Sequence, residues 1–379
     1  MIFFHILLFF LSIVLLSVSI SGYGKLIRLN VKNNFFLEIF LGFITISFII
    51  TVIHFFFKIN FYIASLIFLF GWLVFFKKNN YDLLKLLKKK NIPYIIIIFL
   101  FIPMFLSQKY NEDFGYYHLP YALSFLEEKI IFGFANINQS YVYNSIWLNL
   151  YSIFFLGDKN FDFLTLPSFL LFLSFILFSL HNVNTKKNIL TSDWYLIIIL
   201  FYFILKFTRI SEFGVDFPAT IFSMLGIYYF IKFFETNLIE EKKTYFFLIV
   251  IFSIYSILIK LSTLPIILLS FYIYFKFLKN SNFSIKSFRY FFILLLFLSF
   301  FLQQFIYTGC FVFPSNLTCF NVSWFNYEYL NLSKEIELIN KKYNNELKKN
   351  FSPEQYLNNF NWLHFWIKRN FIEISEHLT

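Results

Sequence analysis

Hydrophobic residues in this chain fall in long runs, and most charged residues lie in the segments between them. Neither the two-residue alternation of a half-buried strand nor the narrow stripe of a soluble amphipathic helix dominates. Runs near 2–21, 34–57, 61–76, 93–106, 162–181, 193–208, 217–234, 244–260, 265–278 and 290–309 approach the roughly 20 residues a helix needs to cross a bilayer. Tilt or local thinning accommodates the shorter ones. The pattern predicts an all-α polytopic transmembrane bundle of about 10 spans. The segment 141–156 reads either as an additional span or as a helix lying at the interface.

Composition supports that class. The 379 residues are 59% hydrophobic and only 14% charged, against about a quarter charged in soluble domains. A soluble enzyme and a disordered chain are both excluded. The net charge of +11 is spread between the runs and marks topology, not a nucleic-acid surface. The 63 Phe residues carry no functional weight, because AT-rich coding favours them.

Lys25, Arg28 and Lys32 follow the first run, and Lys77, Lys78 and Lys85 are among those after the third. Placing both clusters in the cytoplasm puts 107–140 outside. If 141–156 does not cross, Lys186, Lys187, Lys242, Lys243 and Arg289 also fall inside. The segments 107–161, 209–216, 261–264 and 310–379 then share the outer face. The expected organisation is a transmembrane domain over 1–309, with interfacial helices in the loop 107–161, and an external polar segment over 310–379. That segment is expected to be helical around 333–350 and 353–376. The first run lacks a basic leader and a small-residue cleavage site, so it is expected to be retained.

Cys310 and Cys319 flank FVFPSNLT at the predicted outer end of the last span. Outside the cytoplasm such a pair can close a small loop as a disulfide; two separate thiols are the alternative.

Ionisable groups at membrane level are costly and call for a reason. Three clusters fall on the predicted outer face. In 111–121 (NEDFGYYHLPY), Glu112 and Asp113 precede Gly115, Tyr117 and His118. A carboxylate there suits a general base or a metal ligand, and a plain wet loop is the bland reading. In 206–218, Arg209 offers a planar fork suited to phosphate, or a snorkelling anchor. Asp216 in the same stretch stands before Pro218 as a site residue or a helix cap. In 258–265, Lys260 suits a phosphate or the headgroups. No metalloprotease, Walker or dinucleotide motif occurs.

In this order the residues resemble the GT-C superfamily of polytopic glycosyltransferases. The chain is similar, more narrowly, to a group of bacterial membrane proteins with an Asp-x-Gly-x-Tyr-His motif, matched by Asp113, Gly115, Tyr117 and His118. The match continues through Gly133 and Asn136, Tyr143-Asn144-Ser145-x-Trp147, Asp216-x-Pro218 and Lys260-x-Ser262, then Gly309 to Pro314 and Trp324. It covers about 107–325. Such proteins often carry further spans, so the stop at Thr379 is expected to mark a shorter member, a split gene or a fragment.

The resemblance implies transfer of a sugar from a polyprenyl-phosphate donor to a glycan, lipid or protein acceptor of the cell envelope, outside a bacterial inner membrane. Asp113 would be the base, with Glu112 beside it and His118 positioning it. Tyr117, Asp216 and Asn144 would contact substrate, and Arg209 and Lys260 the phosphate. The resemblance leaves the cofactor unknown: some such enzymes use a divalent metal and others do not, and the sequence does not force the choice. The competing readings are a transporter or flippase, whose site would sit at the bilayer midplane, and a non-catalytic membrane subunit.

Overall fold

An apolar environment offers backbone amides no water, so a chain this hydrophobic must satisfy them within helices. The computed structural model is accordingly helical, and its only β pairing among the described residues is an isolated bridge between Cys310 and Cys319. It describes residues 2–27, 29, 34–78, 92–106, 113–155, 164–184, 188–205, 213–278, 288–313, 315–344 and 347–378.

Each long hydrophobic run becomes helix. The helices are α1 (Ile2–Gly24), α2 (Phe35–His54), α3 (Phe61–Lys78), α4 (Ile92–Leu106), α5 (Leu119–Glu127), α6 (Ile146–Tyr151), α7 (Leu166–Asn184), α8 (Thr191–Leu205), α9 (Asp216–Glu235), α10 (Ile239–Ile259), α11 (Ile267–Ile273) and α12 (Phe288–Thr308). The polar end carries α13 (Glu328–Asn340), α14 (Pro353–Leu357) and α15 (Asn361–Leu378). Among the described residues α2, α7, α9, α10 and α12 are long and apolar enough to cross a membrane.

The chain divides into two compact units: 1–131 with 143–303, and 132–142 with 304–379. In the first, α1, α2 and α3 approach closely through small residues. A Cβ on Gly42 would stand 1.9 Å from the Ile20 carbonyl oxygen, and one on Gly22 1.9 Å from that of Gly71. Glu38 accepts from Ser21 Oγ at 3.0 Å and lies 3.6 Å from Lys25 Nζ, so the α1–α2 turn neutralises its own buried charge.

Contacts fix the helix directions within this unit. Phe36 in the first turn of α2 meets His181 in the last turn of α7 (6.2 Å), and Phe40 meets Phe178 (5.6 Å). These two helices are therefore antiparallel. Ser192 at the start of α8 donates through backbone and hydroxyl to Glu235 at the end of α9. At the opposite end, His54 closes α2 and stacks on Phe125 of α5 at 3.6 Å, while the His54 carbonyl accepts from Ile130 N. The start of α9 and the end of α10 lie at this same end.

Within the ambiguous segment 141–156, residues 146–155 form a short buried element. α6 and the 3-10 turn Ser152–Phe155 are buried throughout and pack among α2, α5 and α10. At about 1.5 Å per residue they are too short to cross a bilayer, and they are wrapped in protein, not laid on the lipid.

The second unit has its own small core of Ala135, Val142, Cys310 and Phe313, with Cys319 and Phe325 against it, and a disulfide joins Cys310 to Cys319. Gly133 (φ 69°) turns 132–142 so that its N–H reaches the Ile306 carbonyl, and Asn136 Nδ2 donates to the Trp324 carbonyl at 2.9 Å. The Gly-x-x-Asn and Trp324 motifs thus meet. Helix in the polar end starts earlier than the sequence suggested, at Glu328, and breaks at Lys341. Asn359 and Phe360, at φ 50° and 59°, separate α14 from α15.

Candidate functional site

Three local features bring the site together. Asp113 opens a π-helical turn, Phe114–His118, that runs directly into α5 with Pro120 in its first turn. Because the helical path is continuous from Asp113, Pro120 lies within it, and its missing N–H withdraws one donor from the carbonyls of the π turn. Asp216 is the first residue of α9, with Pro218 two positions on. α10 ends where Lys260 turns extended (φ −149°, ψ 116°), before the 3-10 turn Leu261–Ile266 that holds Pro265.

Lys260 Nζ then lies 2.5 Å from Asp216 Oδ1. The pair is half open, with side-chain exposures of 42% and 56%. Hydroxyls set its geometry from beneath: Ser256 meets Ser223 at 2.7 Å and Thr263 at 2.9 Å, and Thr263 Oγ1 donates to the Lys260 carbonyl at 2.9 Å. The N-cap position of α9 is Val215, without a side-chain capping bond, so Asp216 is the first helical residue and not the cap.

His118 is buried, and among the described residues neither ring nitrogen has a hydrogen-bond partner. Burial pulls its pKa down to about 4, against the opposing fields of the Asp113 and Asp216 carboxylates, while Lys260 adds to the depression. The imidazole is therefore neutral at pH 7. Tyr117 is pushed well above its usual value by burial, and by Asp113, Asp216 and Tyr143. Asp113, Tyr117, His118, Asp216 and Lys260 therefore share one electrostatic environment at one end of the first unit. Asp113 is exposed. Glu112 and Arg209 lie outside the described residues.

Asn144 is engaged below this group. Its Oδ1 lies 2.5 Å from the Tyr121 hydroxyl, and its Nδ2 donates to Gln303 Oε1 at 3.2 Å. Asn149 of α6 bridges the same partners, donating to Gln303 Oε1 at 2.8 Å and Thr51 Oγ1 at 2.9 Å. Tyr121 OH also lies 2.9 Å from Asn149 Oδ1. This buried network ties α2, α5, α6 and α12 together. Such groups must be satisfied internally, because an unpaired polar atom is expensive there.

A second clamp holds the loop before Asp216. Phe213 is fully buried and stacks on Tyr151 at 3.9 Å, with Phe114 5.2 Å away on its other side. The Tyr151 hydroxyl contacts Ser168 at 2.6 Å and the Gly214 carbonyl at 3.3 Å. Sequence reasoning passed over Tyr121, Asn149, Tyr151, Phe213 and Gln303. The signal available was polar atoms inside or beside apolar runs, as at Asn149 and Gln303. Among the described residues no three His, Cys, Asp or Glu side chains gather as a metal site.

No curated protein and no solved structure matches the chain. One family does, described as a domain of unknown function (DUF8201), and it matches residues 2–376. That span takes in both compact units and every site residue named above, so the chain belongs to the DUF8201 family.

Proposed function

We propose that this chain is a membrane-embedded glycosyltransferase of GT-C type, moving a sugar from a polyprenyl-phosphate donor to a cell-envelope acceptor outside a bacterial inner membrane. The observation that carries the reading is the Lys260–Asp216 pair acting on the same Tyr117 and His118 that feel Asp113. Two carboxylates, an ammonium and a neutral imidazole thereby lie within electrostatic reach of one another at helix ends. In the proposed topology the hydrophobic runs make about 10 spans, and the site faces out with 107–161.

The Asp113 carboxylate takes the proton from an acceptor hydroxyl as that oxygen attacks the anomeric carbon. The bond from that carbon to the phosphate oxygen breaks, and its electron pair leaves with the polyprenyl phosphate. Lys260 offsets this growing charge; its ammonium has three donors, so it can hold Asp216 and a phosphate oxygen together. His118, neutral and buried, presents ring nitrogens to orient Asp113 or a sugar hydroxyl. Tyr117 and Asp216 contact the sugar. Arg209 and Glu112 stay candidates on sequence grounds, as second phosphate ligand and neighbouring carboxylate. The charges gather at helix ends and not at the middle of the bundle, which favours a lipid-borne substrate over a conduction path.

Purified protein in proteoliposomes, supplied with polyprenyl-phosphate sugars and a panel of envelope acceptors, tests this. Release of polyprenyl phosphate with labelled acceptor is expected. Failure to discharge any carrier while the protein remains folded contradicts it.

A further inference from the structure

We infer that α15 docks on a phospholipid surface, with Leu363, Trp366, Ile367 and Phe371 turned toward the acyl chains. The inference does not depend on the proposed chemistry. α15 has two unlike faces. Phe365 packs 5.7 Å from Phe351 and 6.1 Å from Tyr356, Trp362 takes Lys341 Nζ at 4.6 Å, and Arg369 Nη1 donates to the Lys342 carbonyl at 2.9 Å. These contacts anchor one side of the helix within the second unit.

The other side carries a continuous apolar stripe. Positions 363, 367 and 371 recur every fourth residue, and 366 falls beside them at the three-residue spacing, so all four share one face. All are exposed, Ile367 at 52% and Phe371 at 70%. Soluble surfaces rarely leave so connected a patch uncovered. With a tryptophan on the apolar side and Lys368 at its edge, the pattern is that of a helix lying in a membrane interface.

Two observations choose lipid over another occupant. The unit's longer segment, 304–379, begins within α12, a helix long and apolar enough to cross a membrane, so the chain itself tethers α15 near a bilayer. Exposed Lys368 lies along the edge of the stripe. Its ammonium beside an apolar stripe complements the phosphate of a lipid headgroup.

Site-directed fluorophores test the docking. The full chain is reconstituted in vesicles of phosphatidylcholine and phosphatidylglycerol, with an environment-sensitive label at Ile367→Cys or Phe371→Cys and a control at exposed Glu354→Cys. The native cysteines are joined to each other and do not compete. Labels at 367 and 371 are expected to emit blue-shifted and to be quenched by lipids spin-labelled near the headgroup. Their quenching by aqueous iodide should be at least about threefold weaker than at 354, as for a helix buried to the headgroup boundary. Trp366→Phe should remove part of the tryptophan quenching by brominated lipids, which gives a label-free check. Iodide access equal to the control overturns the inference. So does a blue shift that grows with protein density without lipid quenching, which would assign the face to a second copy.

Discussion

Lys260 Nζ sits 2.5 Å from Asp216 Oδ1, joining the end of one membrane-length helix to the start of another across 44 residues of sequence. Both side chains are open to their surroundings. An exposed pair contributes only about 0–1 kcal/mol to stability, so its position beside Tyr117 and His118 points to chemistry.

Lys260→Met is therefore expected to lower the melting temperature in detergent hardly at all. Sugar transfer should fall by about 100-fold or more, the scale of losing one electrostatic stabiliser of a leaving group. Parallel thermal unfolding and transfer assays check this. An equal loss in both would make the pair structural.

His118 predicts a pH dependence. Its folded pKa, about 4, is below the ordinary 6.5, because burial disfavours the charged ring. The unfolded chain therefore binds more protons between those values, and stability rises with pH across that window. The contribution is present above about pH 6.5 and is lost as pH falls toward 4. His118→Gln should flatten the dependence of melting temperature on pH between 4 and 6.5 relative to the parent.

Asn149 carries the buried network. Asn149→Ala removes its hydrogen bonds to Thr51, Gln303 and Tyr121 and opens a small cavity, which should cost on the order of 2–4 kcal/mol. A much lower melting temperature in detergent is expected. No change would mean that water replaces the amide.

Gly42→Ala tests the close approach of α1 and α2. The added Cβ would meet the Ile20 carbonyl oxygen, a backbone atom that cannot rotate away. Overpacking of this kind costs about 1–3 kcal/mol. Gly115→Ala is the control, since nothing stands within 4 Å of its Cβ position.

Much of this fold was legible in the sequence. Each long hydrophobic run became helix, because run length and the need to satisfy the backbone act locally. α6 was not legible. YVYNSIWLNLYSIFFL is apolar enough for a span, and its confinement depends on Thr51 and Gln303, which are distant in sequence. Asp113, Tyr117, His118, Asp216 and Lys260 could be singled out as polar residues where polarity is costly. Their mutual arrangement was not readable, since Asp216 and Lys260 could equally have ended as a helix cap and a headgroup anchor. The clamp of Phe213 on Tyr151 left no mark, because aromatic residues are too abundant here for any one to stand out.

The central claim is that Asp113 is the base of a sugar transfer, and turnover by Asp113→Asn in proteoliposomes tests it most directly. With melting temperature and membrane insertion unchanged, the account predicts loss of transfer by about 100- to 10,000-fold, the range general-base catalysis supplies. Transfer at the parental rate would contradict it.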